Sequence, residues 1–269
     1  MKKTVRDLMH RGLITCKTTT TLGQVATMLT EHHVHALIVA DRDGRPVGVI
    51  SDFDLLAGEW LSTDEASLAA MRAMTAGDMM TTPIDMVDAD VEAHVAAHRM
   101  NEEGISRLLV TEKDKPVGVV SISDFVASMS QTEQVHRGTV GDVMSRAILV
   151  TRQETPIVQV ARVMTSAHFR SVIVVDEMGK PLGVVSGLDL LGYCRPDGCD
   201  NVPAVRAMHD ALTIFPEASL REAATLMIEK HHHRLVVVDP NRPDGMPLGA
   251  ISSFDIVAGM AHPESVWQP

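Results

Sequence analysis

The sequence predicts an α+β fold made of four similar repeats, each in the order strand, helix, strand, strand, helix. Three observations support this prediction. A valine-rich run, a Pro-x-Gly turn into a second apolar run and a Ser-x-x-Asp motif occur together four times in the 269 residues. The copies are about 65 to 70 residues apart, and regular self-similarity of this kind indicates a repeat architecture. An apolar stripe with helical spacing precedes each copy.

We place the repeats at residues 1–60, 76–130, 138–193 and 203–261 and number them one to four in chain order. Residues 61–75 form a linker whose composition favours helix, and residues 262–269 form a tail. A repeat of about 55 residues buries too little apolar surface to be stable alone, so neighbouring repeats should associate. Chain order predicts that repeat one pairs with repeat two, and repeat three with repeat four.

Each repeat is predicted to begin with a short strand, near residues 14–16, 85–87, 149–151 and 212–214. The first helix follows, with apolar residues at i, i+3, i+4 and i+7 on one face. These stripes are Leu22/Val25/Ala26/Leu29, Ala93/Ala96/Ala97/Met100, Ile157/Val160/Ala161/Met164 and Leu220/Ala223/Ala224/Met227. We expect their methionines to fill the core rather than to line a ligand pocket.

Two β-branched runs across a short polar turn predict a β-hairpin after each first helix. The Pro-x-Gly glycines of these turns are Gly48, Gly118, Gly183 and Gly249. The turn of repeat four, residues 239–246, is longer and should protrude. A second amphipathic helix begins near Asp52, Ile122, Gly187 and Ser253 and completes each repeat.

Composition restricts the class of partner. The formal charge of −11 and the pI near 5.6 argue against a nucleic-acid binder, which usually has a basic face. No apolar run approaches the roughly 18 residues needed to span a bilayer, so no membrane partner is expected. The three cysteines lack Cys-x-x-Cys spacing and are expected to be free thiols, which suits a cytoplasmic protein.

The repeat resembles the cystathionine-β-synthase (CBS) domain, and four in tandem resemble two Bateman modules. Residues 5–9, 76–80 and 140–144 are similar to the opening motif of that family, and residues 204–208 form a weaker copy. The resemblance implies that CBS units pair into modules with clefts that commonly hold adenosine nucleotides. In nucleotide-binding members, the aspartate of the motif holds the ribose hydroxyls and its Ser or Thr lies near the ribose or phosphate.

All four copies match at these two positions. The candidate ribose ligands are Asp54, Asp124, Asp189 and Asp255, and the candidate ribose or phosphate ligands are Ser51, Ser121, Ser186 and Ser252. A helix N-terminus favours an anion, and a carboxylate can accept hydrogen bonds from two vicinal hydroxyls. The alternative is that Ser-x-x-Asp is a capping box, which only satisfies backbone N–H groups at the start of the helix.

Histidines and arginines cluster where each first helix runs into the hairpin. The candidate phosphate ligands there are Arg107, Arg170, His233, Arg234 and His35. His233 and Arg234 are preferred, because residues 233–239 closely resemble the stretch through which the γ subunit of AMP-activated protein kinase contacts nucleotide phosphate. Consecutive histidines at 231–233 point to alternate faces, so we expect no metal held by protein ligands. Exposure to solvent or helix capping is the alternative role for the histidines.

No Gly-rich phosphate loop, nucleophile motif or metalloprotease motif is present, so we expect no enzyme activity. The expected function is regulatory: AMP, ADP or ATP, the last with Mg²⁺, binds in clefts between paired repeats and signals energy status by a conformational change. The expected protein partner is a second copy of the chain or a regulated protein. The alternatives are a scaffold for protein interaction or oligomerisation without nucleotide, and a sensor of another adenosyl ligand such as S-adenosylmethionine.

Overall fold

The computed structural model describes residues 3–57, 70, 73–130, 138–195, 198–199, 201–242 and 245–261. Most of the linker, with its predicted helix, and the whole tail lie outside these residues. The chain forms two compact units. Unit 1 contains Met1–Gly12, Asp85–Ile148 and Leu212–Pro269, and unit 2 contains Leu13–Ile84 and Leu149–Ala211.

All four repeats have the predicted order of elements. The first strands are Thr15–Lys17, Met86–Asp88, Val150–Arg152 and Thr213–Ile214. The first helices are Leu22–Glu31, Ala93–Glu103, Ile157–Ser166 and Leu220–Lys230. The hairpins are Ala36–Ala40 with Pro46–Ser51, Arg107–Glu112 with Lys115–Ser121, Ser171–Val175 with Pro181–Ser186, and Arg234–Val238 with Pro247–Ser252. The second helices are Asp52–Ala57, Ile122–Ser130, Gly187–Leu191 and Ser253–Ala261.

In every repeat, the first strand runs parallel to the first strand of the hairpin, and the hairpin itself is antiparallel. A parallel neighbour requires a crossover connection, which the first helix supplies. Every residue of the four apolar stripes is buried. Burial of each large aliphatic side chain contributes about 1.5–3 kcal/mol, so these stripes hold the helices on the sheets. The methionines Met100, Met164 and Met227 are core residues, as predicted.

The first helices end in the same way in all four repeats. A residue with left-handed backbone geometry follows each helix, directly in repeats two and four and after one further residue in repeats one and three. The residue after it donates its N–H to a carbonyl five positions earlier, as in a Schellman motif. The left-handed residues are His33, Gly104, His168 and His231, with φ of 52°, 67°, 57° and 56°. Three histidines of the junction clusters therefore end helices, which is one of the alternative roles considered for them.

Each repeat includes, before its first strand, an opening segment with a one-turn helix. These opening helices are Val5–Leu8, Ala76–Met79, Val140–Val143 and Ala204–Ala207. The opening segment of repeat one packs on repeat two, where His10–Arg11 extends the sheet beside Lys115–Ser121. In the same way, the segment of repeat four packs on repeat three, that of repeat two on repeat one, and that of repeat three on repeat four. Neighbouring repeats thus exchange their opening segments.

The Pro-x-Gly glycines lie where these opening segments cross the hairpins. A Cβ on Gly48 would lie 2.8 Å from the carbonyl oxygen of Thr81, and one on Gly183 would lie 2.6 Å from the carbonyl oxygen of His209. The backbone carbonyls of His10 and Ser145 occupy the same place beside Gly118 and Gly249. Close approach of two backbones therefore requires glycine here, beyond the turn role that the sequence suggested.

Helix packing groups the repeats differently from chain order. In unit 1 the helices of repeat two pack against those of repeat four, and in unit 2 the helices of repeat one pack against those of repeat three. Each pair shares one hydrophobic core. The prediction that repeat one pairs with repeat two, and repeat three with repeat four, does not hold for the helix packing or for the shared cores. Within each unit, consecutive repeats are in contact through the opening segments. The grouping of two with four and one with three was not predicted.

Candidate functional site

In all four repeats the motif aspartate accepts hydrogen bonds from the backbone N–H and the hydroxyl of the motif serine, and in repeats one, three and four its own N–H donates to that hydroxyl in return. In repeat four, Oδ2 of Asp255 accepts hydrogen bonds from the backbone N–H of Ser252 at 2.7 Å and from its hydroxyl at 2.6 Å. The N–H of Asp255 in return donates to the hydroxyl oxygen of Ser252 at 3.3 Å. The alternative interpretation is therefore present in the structure, because these contacts form a capping box. They occupy Oδ2 and hold the carboxylate in one orientation.

The residue opposite the motif serine differs from repeat to repeat. Hairpin register places Ala36, Arg107, Ser171 and Arg234 directly across from Ser51, Ser121, Ser186 and Ser252, in that order. Directly opposed residues of an antiparallel pair project from the same face of the sheet. Two of the candidate phosphate ligands, Arg107 and Arg234, therefore project from the sheet on the same side as the serine of their own repeat.

The other candidate phosphate ligands lie elsewhere. The guanidinium of Arg170 stands 5.7 Å from the ring centroid of Phe53, which lies inside the motif of repeat one. His233 approaches the motif of repeat two, with 3.4 Å between its Nδ1 and the hydroxyl oxygen of Ser123. Repeats three and four thus bring basic side chains to the motifs of the repeats on which their helices pack. His35 instead lies beside a carboxylate, with 2.9 Å between its Nδ1 and Oδ2 of Asp52.

Two histidines that are not among the predicted site residues contact the motif aspartates. Nε2 of His10 lies 2.7 Å from Oδ1 of Asp124, and Nδ1 of His209 lies 3.2 Å from Oδ2 of Asp189. Burial raises the pKa of Asp189, but the hydrogen bonds from His209 and Ser186 outweigh burial and hold that pKa below its usual range. Each histidine directly follows the last methionine of an opening motif. Comparing that position in the four copies would have identified them.

Other ionisable groups have structural roles. A carboxylate caps each of the opening helices of repeats one, two and three. Its pKa is lowered by hydrogen bonds from the backbone N–H and the hydroxyl of Thr4, Thr75 or Thr139. Burial raises the pKa of the Cys16 thiol. Over the described ranges, no group of three His, Cys, Asp or Glu side chains is placed to hold a metal ion. Over the same ranges, no helix is both long and apolar enough to cross a membrane.

Comparison with known families decides what this architecture is. The CBS domain model matches residues 5–59, 76–131, 140–195 and 204–262, which together make up most of the chain. The chain belongs to the CBS domain family. Its four CBS repeats form two Bateman modules, in agreement with the resemblance seen in the sequence.

Individual relatives are distant. Protein MJ1225 of Methanocaldococcus jannaschii is 22% identical over 201 residues, which are 70% of this chain and 69% of MJ1225. Protein MK0525 of Methanopyrus kandleri is 27% identical over 123 residues, or 45% of this chain. The chain spans 63% of the length of MK0525 and 44% of that of the M. jannaschii protein MJ1404, two of the curated relatives that it matches.

Two solved structures show the same fold over nearly the whole chain. The crystal structure of MJ1225, described as a candidate archaeal homolog of g-AMPK, has a TM-score of 0.81. It covers 95% of this chain and 99% of its own at 18% identity. A conserved protein from Pyrococcus horikoshii has a TM-score of 0.65 at 20% identity, with the same coverage. At identities of 18% and 20%, this likeness shows the fold alone and nothing about a ligand.

Proposed function

We propose that this CBS protein is a non-catalytic regulator that binds an adenine nucleotide, with its strongest site in repeat four. One observation carries the proposal. Repeat four combines a motif aspartate, Asp255, held by Ser252, with an arginine, Arg234, directly opposite that serine. Repeat two also has both features, but its aspartate is in contact with His10. Repeats one and three have alanine and serine in the arginine position.

The carboxylate of Asp255 suits a ribose. Because Ser252 fixes its Oδ2, the side chain is already oriented, and binding would cost little side-chain entropy. Within the part of the chain that the structure describes, no ion pair is formed by Asp255. Both lone pairs of its Oδ1 can accept hydrogen bonds, one from each of two neighbouring ribose hydroxyls. The same interactions would form at Asp54.

The surroundings of Asp255 suit a phosphate. The second helix of repeat four, Ser253–Ala261, begins beside Ser252, and the N-terminus of a helix favours an anion. Arg234 adds a guanidinium that can form two parallel hydrogen bonds to phosphate oxygens. At the site of repeat one, the guanidinium of Arg170 beside Phe53 would supply the positive charge. ATP would bring Mg²⁺ with its phosphates rather than meet a metal already held by protein.

A ligand at repeat four would contact two repeats at once. Ser145, in the opening segment of repeat three, forms paired backbone hydrogen bonds of 2.9 Å with Ala250, two residues before Ser252. A ligand that binds one arrangement of this segment more tightly than another shifts the population toward it. The regulated target would be a second protein or another copy of this chain, and the ligand level would report energy status.

Two alternatives have specific support. The capping boxes fully account for the four Ser-x-x-Asp motifs by local structure, which is what a scaffold without ligand requires. S-adenosylmethionine shares the adenosine that Asp255 would hold. Its sulfonium is cationic, however, and would meet the positive guanidinium of Arg234 without attraction.

Calorimetric titration of the whole chain with AMP, ADP, ATP with Mg²⁺, and S-adenosylmethionine tests the proposal. We expect saturable binding of at least one of the three nucleotides in the micromolar to low millimolar range, and weaker binding of S-adenosylmethionine. Absence of binding for all three at millimolar concentration would overturn the proposal and favour the scaffold. Tighter binding of S-adenosylmethionine would retain an adenosyl sensor and change its ligand.

A further inference from the structure

We propose that His10 and His209 determine which ribose sites of this chain are available, by occupying the motif aspartates of repeats two and three. The chain then has two closed aspartates, Asp124 and Asp189, and two open ones, Asp54 and Asp255. This inference rests on the proposed function, because it concerns the same four carboxylates as ligands of a ribose.

The four opening segments place one residue at the same point of each repeat. That residue follows the last methionine of the opening motif and pairs with the residue two positions before the motif serine. The four pairs are His10 with Val119, Thr81 with Val49, Ser145 with Ala250, and His209 with Val184. The residue type at this position is therefore the variable that distinguishes otherwise equivalent sites.

Histidine at this position reaches the motif aspartate. The contact of His10 with Asp124 is short, at 2.7 Å between Nε2 and Oδ1. The side chain of Asp124 is only 6% exposed, whereas that of His10 is 83% exposed, so His10 covers the carboxylate from the solvent side. In repeat three, His209 shares Oδ2 of Asp189 with the hydroxyl and N–H of Ser186. A ribose at Asp124 would have to displace the hydrogen bond of His10 at Oδ1, and a ribose at Asp189 would have to bind beside the imidazole of His209.

The opening segment holds His10 firmly in place. Arg6 forms ion pairs with Asp90 at 2.8 Å and with Glu112 at 3.0 Å, and both acids belong to repeat two. The ammonium of Lys3 donates to the hydroxyl of Ser128 at 2.7 Å. The histidine therefore lies on a segment that is docked on repeat two and paired with its sheet.

The shorter side chains in the other two repeats leave their aspartates open. The hydroxyl of Ser145 donates to the carbonyl oxygen of Ala147 at 2.9 Å. Neither Thr81 nor Ser145 has an imidazole that could extend to a carboxylate. Over the described ranges, Asp54 and Asp255 form no ion pair with any residue, unlike Asp124 and Asp189. Whether a motif aspartate is open or closed therefore depends on the residue type at this one position.

AMP titration of the whole chain by calorimetry, with the stoichiometry as readout, tests the proposal. The wild-type chain should bind two AMP molecules. The double variant with His10→Ala and His209→Ala should bind more than two, or gain about tenfold in affinity at the added sites, since hydrogen bonds to charged groups are of this strength. The matched control is His98→Ala, which removes an exposed histidine that faces Glu102 on a helix surface. It should leave stoichiometry and affinity unchanged.

The converse variants keep the test valid if the double variant fails to fold. Thr81→His and Ser145→His install the histidine at the open sites and should weaken AMP binding there about tenfold. If the wild-type chain binds AMP but neither set of variants changes stoichiometry or affinity, control by the histidines is overturned and the proposed function stands. The proposed function, and this inference with it, fails only if AMP, ADP and ATP with Mg²⁺ all fail to bind the wild-type chain and every variant.

Discussion

Arg234 lies directly opposite Ser252 in the antiparallel hairpin of repeat four, and Ser252 in turn orients the carboxylate of Asp255. The two side chains project from the same face of the sheet. A phosphate-binding group and a ribose-binding group are thereby linked through one cross-strand pair. The proposed site depends on this relationship.

Arg234→Ala should weaken AMP binding at repeat four by about tenfold or more, because a charged hydrogen-bond donor to the phosphate is lost. The affinity for adenosine, which has no phosphate, should not change. Calorimetry with both ligands measures the difference. Equal losses for AMP and adenosine would show that Arg234 supports the fold of the site and does not contact phosphate.

Asp255→Ala should abolish detectable binding at repeat four and lower the free energy of unfolding by about 1 kcal/mol through loss of the cap. Asp142→Ala is the matched control, because Asp142 caps an opening helix by the same contacts with Thr139, at 2.8 and 2.9 Å. The control should not affect ligand binding. If both variants reduce binding equally, Asp255 acts only as a cap.

Gly118→Ala should destabilise the chain by about 1–3 kcal/mol, because the new Cβ would overlap the backbone carbonyl of His10. The opening segment of repeat one should loosen, which amide hydrogen exchange at Met9 to Arg11 would detect. Unchanged protection there, or a variant as stable as wild type, would contradict the explanation given for the Pro-x-Gly glycine.

Substitutions at the left-handed position that ends the first helix should have opposite effects on stability in repeats two and four. Gly104→Ala should cost about 1 kcal/mol from backbone strain alone, because its Cβ would meet nothing within 4 Å. His231→Gly, at the same position of repeat four, should stabilise by up to about 1 kcal/mol. Denaturant unfolding measures both. Loss of stability in His231→Gly would show that the imidazole has a role beyond ending the helix.

Asp189 should make stability sensitive to acid. Because its pKa is lowered in the folded chain, its contribution is complete above the unfolded-state pKa of about 3.9 and is lost as the pH falls through the folded pKa. Asp189→Asn should therefore be less stable than wild type at pH 7, and the gap should narrow toward pH 3. Unfolding curves at several pH values test this, and a constant gap would contradict it.

Much of the fold is readable from the sequence because it is local. Helical periodicity gave the buried stripes of all four first helices, and β-branched runs around Pro-x-Gly gave the hairpins. The exchange of opening segments could not be predicted in this way. Nothing in residues 5–11 shows that they pack on the next repeat, since that contact is set by chain topology. The grouping of helices from repeats two and four likewise depends on matching apolar surfaces, which periodicity does not distinguish.

The site was predicted in composition but not in arrangement. The motif serines and aspartates lie together as expected, because they are three residues apart at a helix start. Two neighbouring residues at the junction of the first helix and the hairpin, however, lie at different sites. Arg234 lies in the hairpin opposite Ser252, whereas His233, one residue earlier, approaches Ser123 of repeat two. His233 lies before the strand Arg234–Val238, so the hairpin register that places Arg234 does not apply to it.

A crystal structure of the chain grown with AMP tests the central claim most directly. The account predicts ligand density at repeat four with the ribose hydroxyls on Asp255 and the phosphate within hydrogen-bonding distance of Arg234. Density at a place that involves neither residue, or an empty site under conditions where calorimetry shows saturation, would contradict it.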